Sequence, residues 1–286
     1  MVANNSSSSF PKEVTGSYYI YNEKTVPVRD FNGSFLDYPY YIYEVFRIID
    51  GIALFLEDHL QRLEHTCRMA GTCRNFNKKE LEKHVYQIIE KNDVVKGNIK
   101  IVGIRNQDEI RFLIYCKPHQ YPSAEQYKKG VDTLLFSGNR RNPNAKMMDA
   151  ELRRNNQRAI ENKKVYETLL VNHEGLVTEG SSSNVFFVRN DEILTPPLED
   201  VLPGVTRKHI MDICYENKIK IREDKIQARS IVVMEAVFIS GTSKKVLPVK
   251  KIDDLDFCVP HPLVERVGNL FDSRVVAYIH SGQKKE

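Results

Sequence analysis

Gly175 to Pro197 reads GLVTEGSSSNVFFVRNDEILTPP. Two apolar runs, "GLVT" and "NVFFV", flank a turn of one glycine and three serines, and a single carboxylate, Glu179, stands at its mouth. Short apolar runs punctuated by Gly, Ser and Asn read as strands joined by tight turns. A glutamate so placed is ordinarily a solvated hairpin charge, because carboxylates are seldom buried without a partner. The surrounding chain decides whether this one is.

Upstream lie "VDTLLFSG", a strand, and the polar "NRRNPNAKMMDAELRRNNQRAIENKK", whose latter part suits a helix, before "VYETLLV" returns to strand. Downstream, "PGVTRKHIMDICYEN" turns sharply into a helix, and "AVFISGTSKKVLPV" gives two strands around a Gly-Thr-Ser loop. "HPLVERVGNLFDSRVVAYIHSG" closes the chain as a long apolar-patterned helix. Many short strands with a few helices, and no regular βαβ alternation, predict an α+β, barrel-like unit.

The first part of the chain has its own pattern. "YYIYNEKTVPV" alternates as a strand should, and "YYIYEVFRIIDGIALFLEDHL" holds two β-rich runs joined by Asp-Gly, a strong hairpin pairing. A helix is expected from about Glu57, with Leu60, Leu63 and Cys67 along one face. In "NKKELEKHVYQIIEKND", Asn77 and Glu80 have capping-box spacing ahead of a stripe of Leu81, Val85, Ile88 and Ile89. "NIKIVGIR" and "IRFLIYCKP" read as two further strands. The expected organisation is a small α+β domain over residues 1–118, of which 1–16 form a flexible leader, a linker over 119–126, and a larger domain over 127–286.

Bulk properties exclude several classes. Forty-two lysines and arginines against 38 acids leave a net charge of +4, too diffuse for a nucleic-acid surface. Five cysteines without CxxC spacing, and eight histidines without HxxxH or HExxH, give a metal no home and read as the reduced thiols of a cytoplasmic protein. No apolar run reaches membrane-spanning length, and the polar "MVANNSSSSFPKE" lacks a signal peptide's apolar core.

Three separated segments share one chemistry, the ability to offer donors to an anion. "PGVTR" at Pro203–Arg207 puts a turn directly before a helix, whose free N–H groups suit phosphate. "SGTSKK" at Ser240–Lys245 is a small-residue loop with hydroxyls at Thr242 and Ser243, and "DHLQRL" carries Arg62, whose guanidinium suits bidentate pairing. Each also has a plainer reading, as a common glycine loop or a surface ion pair.

Taken in order, "YEVFRIIDG", "EDHLQRL", "AK", "YETLLVNHEGLVTEGSSSNVFFV", "LTPP", "LPGVTR" and "VFISGTSKKVLPV" resemble the fold-type IV pyridoxal-phosphate enzymes. That family includes branched-chain and D-amino-acid aminotransferases and aminodeoxychorismate lyase. The resemblance runs from Tyr18 to Val249. It implies a two-domain D-amino-acid aminotransferase-like fold, with a small N-terminal α/β sandwich and a larger pseudo-barrel domain. The implied activity is transfer of an amino group between an amino acid, branched-chain-like side chains favoured, and a 2-oxo acid, by a homodimer carrying pyridoxal 5′-phosphate. A pyruvate-releasing lyase of the aminodeoxychorismate type and a catalytically degenerate homologue are the alternatives.

The resemblance also assigns roles. Glu179 would lie beside the cofactor's pyridine nitrogen and keep it protonated, since a nearby negative charge favours the charged form. Lys146, 33 residues earlier, would hold the cofactor as a Schiff base and move the proton. Arg62, Val205, Thr206 and Thr242 would grip its phosphate. Tyr43, Arg47, Lys100 and Ser243 are candidates for the substrate, although Tyr43 also reads as half-buried in a sheet, and Arg47 and Lys100 as solvent-facing strand charges.

The match has gaps. Asp149 and Glu151 stand where the family carries Asn and Tyr, near enough to raise a Schiff-base pKa if they faced it. Asp37, Tyr38 and Pro39 replace a glycine-rich stretch, and Gly103 falls where D-amino-acid and lyase members carry arginine, with Arg105 two residues on.

Overall fold

The computed structural model describes residues 13–31, 33, 41–71, 76–106 and 109–283. Six strands form a first sheet: β1 (Thr15–Tyr21), β2 (Lys24–Pro27), β3 (Ile42–Ile49), β4 (Ile52–Ala53), β5 (Lys96–Asn106) and β6 (Glu109–Lys117). Their order is β2-β1-β6-β5-β3-β4, antiparallel throughout. Asp50 and Gly51 both take positive φ, 52° and 77°, as a mirror-image two-residue turn requires, so the Asp-Gly hairpin forms where the sequence places it. Helices α1 (Leu56–Met69) and α2 (Lys78–Lys91) bury Leu60, Leu63, Val85 and Ile88 against Phe46, Ile99 and Ile114 of one face. Asn77 caps α2 by accepting from Glu80 N at 3.3 Å. The opposite face carries Tyr19, Tyr41, Leu113 and Tyr115.

Residues 1–12 of the expected leader, and Asp37, Tyr38 and Pro39, lie outside the described residues. Thr15 and Gly16, assigned to the leader by sequence, already open β1.

Beyond β6 the chain stays extended to Ser123, whose side chain and that of Gln126 form a reciprocal capping box on α3 (Ala124–Lys129). Then follow β7 (Val131–Ser137), α4 (Ala150–Lys163), β8 (Glu167–Val171), β9 (Leu176–Gly180), β10 (Asn184–Arg189) and β11 (Glu192–Thr195). α5 (Val205–Glu216), β12 (Ile221–Glu223), β13 (Ile226–Gln227), β14 (Ala236–Gly241), β15 (Lys245–Ile252), β16 (Leu255–Asp256) and α6 (Pro262–Gln283) complete the described chain. These ten strands make one mixed sheet, ordered β12-β11-β10-β14-β15-β7-β8-β9-β13 with β16 beside β15. The fold is therefore α+β with two sheets.

The unbroken apolar run "NVFFV" has a direct cause. Along β10, Phe186 and Val188 enter the core under α5 and α6, while Val185 and Phe187 enter a second core on the other face. A strand buried on both faces has no polar alternation. Phe186 stacks on Phe238 at 4.6 Å, both fully buried, and truncating either to Ala costs about 3–5 kcal/mol. Ile52, Leu54 and Phe55 reach across from the first sheet into the α5–α6 core and join the two sheets.

Candidate active site

A cavity of about 540 Å³ lies between the sheets, lined by seven lysines and arginines against three carboxylates. Its volume suits a small organic ligand, and its charge suits an anionic one.

Lys146 is placed by the first sheet. β4 pairs only with the far end of β3, so the start of β3 has a free edge. The segment around Lys146 takes that edge: Tyr43 N donates to Lys146 O at 3.1 Å, Met148 N to Tyr41 O at 2.8 Å, and Ile42 bridges Met147. Lys146 N donates to Thr66 Oγ1 of α1 at 3.2 Å. The Lys146 amine sits 4.8 Å from the centre of the Tyr43 ring. Burial lowers its pKa, and the nearby Arg62 and Arg140 lower it further against Tyr43 and Glu44. Burial alone would raise the Tyr43 hydroxyl, but Lys146, Arg140 and Lys100 bring it down to about 8.

Glu179 is buried at the end of β9. Its Oε2 accepts from Leu202 N at 3.3 Å, and Arg140 Nε stands 2.7 Å from its Oε1, off the line that a hydrogen bond needs. Burial raises the carboxyl pKa, and the Arg140 charge only partly offsets it.

The serines after Glu179 are held by a carboxylate the sequence reading passed over. Glu167 of β8 accepts from Ser182 N at 2.5 Å, Ser182 Oγ at 2.9 Å, Ser181 Oγ at 3.2 Å and Ser183 Oγ at 3.1 Å, and pairs with Lys244 at 3.1 Å. A Cβ on Gly180 would stand 2.1 Å from Ser183 Oγ and 3.0 Å from Glu167 Oε1, so only glycine fits there. The turn is a fixed wall.

The end of the cavity suited to an anion gathers three elements. Gly204 precedes α5 and supplies no side-chain cap, so the first N–H groups of the helix, at Val205 and Thr206, face the cavity without one. A Cβ on Gly204 would lie 1.9 Å from Asn184 Oδ1, and Asn184 Nδ2 donates to Leu202 O at 2.9 Å. Arg62 meets this helix start through Nη1 to Pro203 O at 3.1 Å. Its Nε and Nη2 both donate to buried Glu44 at 2.7 Å, with His59 Nδ1 at 2.9 Å from the same carboxylate. The ion pair that Arg62 makes is thus internal and aims it. Burial would raise the Glu44 pKa, yet Arg62 and His59 hold it at about 2. Thr242 and Ser243 line the cavity from the β14–β15 turn, Thr242 Oγ1 donating to Val45 O at 3.3 Å and Ser243 Oγ accepting from Asn98 at 2.9 Å.

Of the substrate candidates, Tyr43, Lys100 and Ser243 line the cavity with Lys146. Lys100 is buried and donates to Glu13 at 2.6 Å, in place of the solvent-facing position that a strand charge suggests. Arg47 is not among the lining residues: its guanidinium lies 3.8 Å over the Tyr121 ring of the segment before α3. Asp149 accepts from Leu152 N at 3.0 Å and caps α4, and Glu151 is exposed. At Gly103 a Cβ would stand 2.6 Å from both Ile110 and Ile42, which leaves no room for an arginine. Among the described residues no three His, Cys, Asp or Glu gather as a metal site would need.

The donor set fits pyridoxal 5′-phosphate: uncapped N–H groups and a guanidinium for phosphate, an amine of lowered pKa for an aldehyde, and a buried carboxylate of raised pKa for a ring nitrogen. Arg140, Glu44, Glu167 and Lys244 belong to the same arrangement.

Comparison with known proteins agrees in kind. The family model described as Amino-transferase class IV matches residues 41–252. D-alanine aminotransferase of Bacillus licheniformis is 26% identical over 250 residues, covering 82% of this chain and 88% of the relative. The crystal structure of Escherichia coli branched-chain amino acid aminotransferase superposes with a TM-score of 0.83 at 22% identity, over 91% of this chain and 95% of that one. A Legionella pneumophila structure assigned as a 4-amino-4-deoxychorismate lyase superposes at 0.77 and 22% identity, over 88% and 97%.

Proposed function

Because the chain belongs to the class IV aminotransferases, we propose that it transfers an amino group between an amino acid and a 2-oxo acid with pyridoxal 5′-phosphate as cofactor. Branched-chain-like side chains are the favoured donors. The observation that carries this reading is the convergence, in one cation-rich cavity, of the Lys146 amine, the Glu179 carboxylate and the uncapped start of α5 beside Arg62.

When bound, the cofactor supplies an aldehyde that bonds amines and a ring that draws electron density from the substrate's α-carbon. Arg62, Val205, Thr206 and Thr242 would hold its phosphate, and Glu179 its ring nitrogen. Lys146, whose pKa burial lowers, would be the nucleophile toward the aldehyde. With the cofactor in place, its Nζ would be the group that accepts and returns a proton at the substrate's α-carbon. Glu179, made more basic by burial, holds a proton on a nitrogen base placed against it. Glu44 fixes the Arg62 fork, and the Glu167 network holds the turn after Glu179, so these donors need little reorganisation. A homodimer in the cytoplasm is the expected working form, and no helix among the described residues is long and apolar enough to cross a membrane.

The test is the visible absorption of protein reconstituted with pyridoxal 5′-phosphate, with Lys146→Ala beside it. Wild type should develop a band that an amino acid bleaches and a 2-oxo acid restores, and the variant should show none. The lyase fold shared with the Legionella protein supplies the second reading: release of pyruvate without any acceptor would favour it and sink the aminotransferase.

A further inference from the structure

Lys100 is 1% exposed, yet it carries an ammonium group. Three tyrosines box it in, with ring centres of Tyr41, Tyr43 and Tyr115 at 5.2, 5.6 and 5.8 Å from Nζ. Such a charge needs a counter-charge, or its desolvation is uncompensated. The chain provides one from 87 positions earlier: Glu13 Oε1 accepts from Lys100 Nζ at 2.6 Å and from Tyr115 Oη at 3.1 Å. Lys117 adds a second positive charge near the same carboxylate.

This pair stands at a telling distance from the chemistry. The Tyr43 ring is 4.8 Å from the Lys146 amine and 5.6 Å from the Lys100 amine. The same aromatic ring therefore neighbours the amine that would act at the α-carbon and the amine that Glu13 occupies, and both lysines line one cavity.

We propose that Glu13 is a specificity-determining residue: its carboxylate fills a subsite at Lys100 that would otherwise take a carboxylate on the substrate's side chain. With Glu13 seated, the side chain of a substrate meets tyrosine rings and a neutralised lysine, so uncharged side chains are accepted and dicarboxylic ones disfavoured. A tethered carboxylate competes at an effective concentration in the millimolar range or above, which a free dicarboxylate of ordinary affinity does not match. The identity of the substrate rests on the aminotransferase reading, whereas the subsite itself does not.

The experiment is calorimetric binding of glutarate, with butyrate as the one-carboxylate control, to full-length wild type, Glu13→Gln, Lys100→Met and the double variant. Glu13→Gln should bind glutarate at least about tenfold more tightly than wild type, since a charged hydrogen bond becomes available. Butyrate binding should stay unchanged, and Lys100→Met in the Glu13→Gln background should erase the gain. Equal glutarate affinity in wild type and Glu13→Gln, at matching thermal midpoints, overturns the proposal. If Glu13→Gln does not fold, Glu13→Asp keeps the charge but shortens its reach, and it should raise glutarate affinity severalfold; no rise overturns the proposal equally. Glutarate binding as expected, without amino transfer from any donor, would retire the aminotransferase reading and leave the subsite standing. Transfer with glutarate affinity indifferent to Glu13 would do the reverse.

Discussion

Glu44 and Glu179 are both buried, and each meets an arginine nitrogen at 2.7 Å, yet Glu44 is held at about 2 while Glu179 is raised above the ordinary carboxylate range. Desolvation is the leading influence on each and acts upward on both. Their hydrogen bonding differs. Glu44, on β3, receives two aligned bonds from the Arg62 fork and has His59 beside it. Glu179, on β9, receives one backbone N–H at 3.3 Å and a guanidinium whose Nε is misaligned. A satisfied buried pair is framework, whereas a partly satisfied one has capacity left for a ligand.

The largest expected effect breaks the satisfied pair. Glu44→Gln leaves Arg62 as a buried charge with reduced compensation and should cost about 3–5 kcal/mol of stability, read by urea unfolding. Its folded pKa lies below the unfolded value, so the stabilisation is fully present above the unfolded pKa and is lost as pH falls through about 2. The gap between wild type and variant should therefore close as pH falls through the acid range. A gap independent of pH would mean that Glu44 acts through packing rather than charge.

Glu179→Gln should invert that pattern. If Glu179 holds the cofactor's ring nitrogen as proposed, loss of its charge lowers kcat/KM by about 10²–10³-fold. Stability should fall by less than for Glu44→Gln, because Glu179 satisfies its arginine less fully. If the two variants lose equal stability, the distinction between framework and ligand-facing carboxylate fails.

Tyr43 tests the cavity's cations from the other side. Its folded pKa of about 8 lies below the free value, so ionisation contributes stability at high pH that is lost as pH falls through about 8. One tyrosinate should therefore appear in the ultraviolet spectrum near pH 8 and vanish in Tyr43→Phe. Lys146→Met should move that titration upward, because Lys146 is the strongest cationic influence on the ring hydroxyl. Tyr43→Phe should cost activity about tenfold.

The sequence carried some of this and concealed the rest, for physical reasons. Local rules reach local features: the Asp50–Gly51 turn, the Asn77 cap and the helix after Gly204 all follow from neighbouring residues. Glu179 and the three anion-suited segments stand out by residue type alone, whereas Lys146 and the cofactor roles come into view only through the family resemblance. Glu44 and Glu167 stayed hidden because their partners are 14 to 18 positions away or further, across a strand-to-helix or strand-to-turn contact. The trace they leave is a lone carboxylate inside an apolar strand, in "IYEVF" and "VYETLLV", which burial makes expensive unless a partner exists. Arg47 shares alternation with Tyr43, but four residues along a strand is about 13 Å, enough to carry it from the cavity to Tyr121.

Asp149 gives the smallest effect and the finest cut. It lines the cavity three residues after Lys146, as a ligand-facing carboxylate would, yet its Oδ1 accepts from Leu152 N at 3.0 Å, as a framework group does. Two substitutions separate these roles. Asp149→Asn removes the charge and retains an acceptor for the cap, whereas Asp149→Ala removes both. If the residue is framework, Asn should be nearly neutral in stability and in kcat/KM, and Ala should cost about 1 kcal/mol with activity within a few-fold of wild type. If Asn alone shifts the pH dependence of the visible band in reconstituted protein, the Asp149 charge reaches Lys146 despite its hydrogen bond. Hydrogen-bond satisfaction would then be too coarse a criterion for sorting the carboxylates in and around this cavity, and Glu44, which supports Arg62 from outside its lining, would have to be judged by its distance from the chemistry instead.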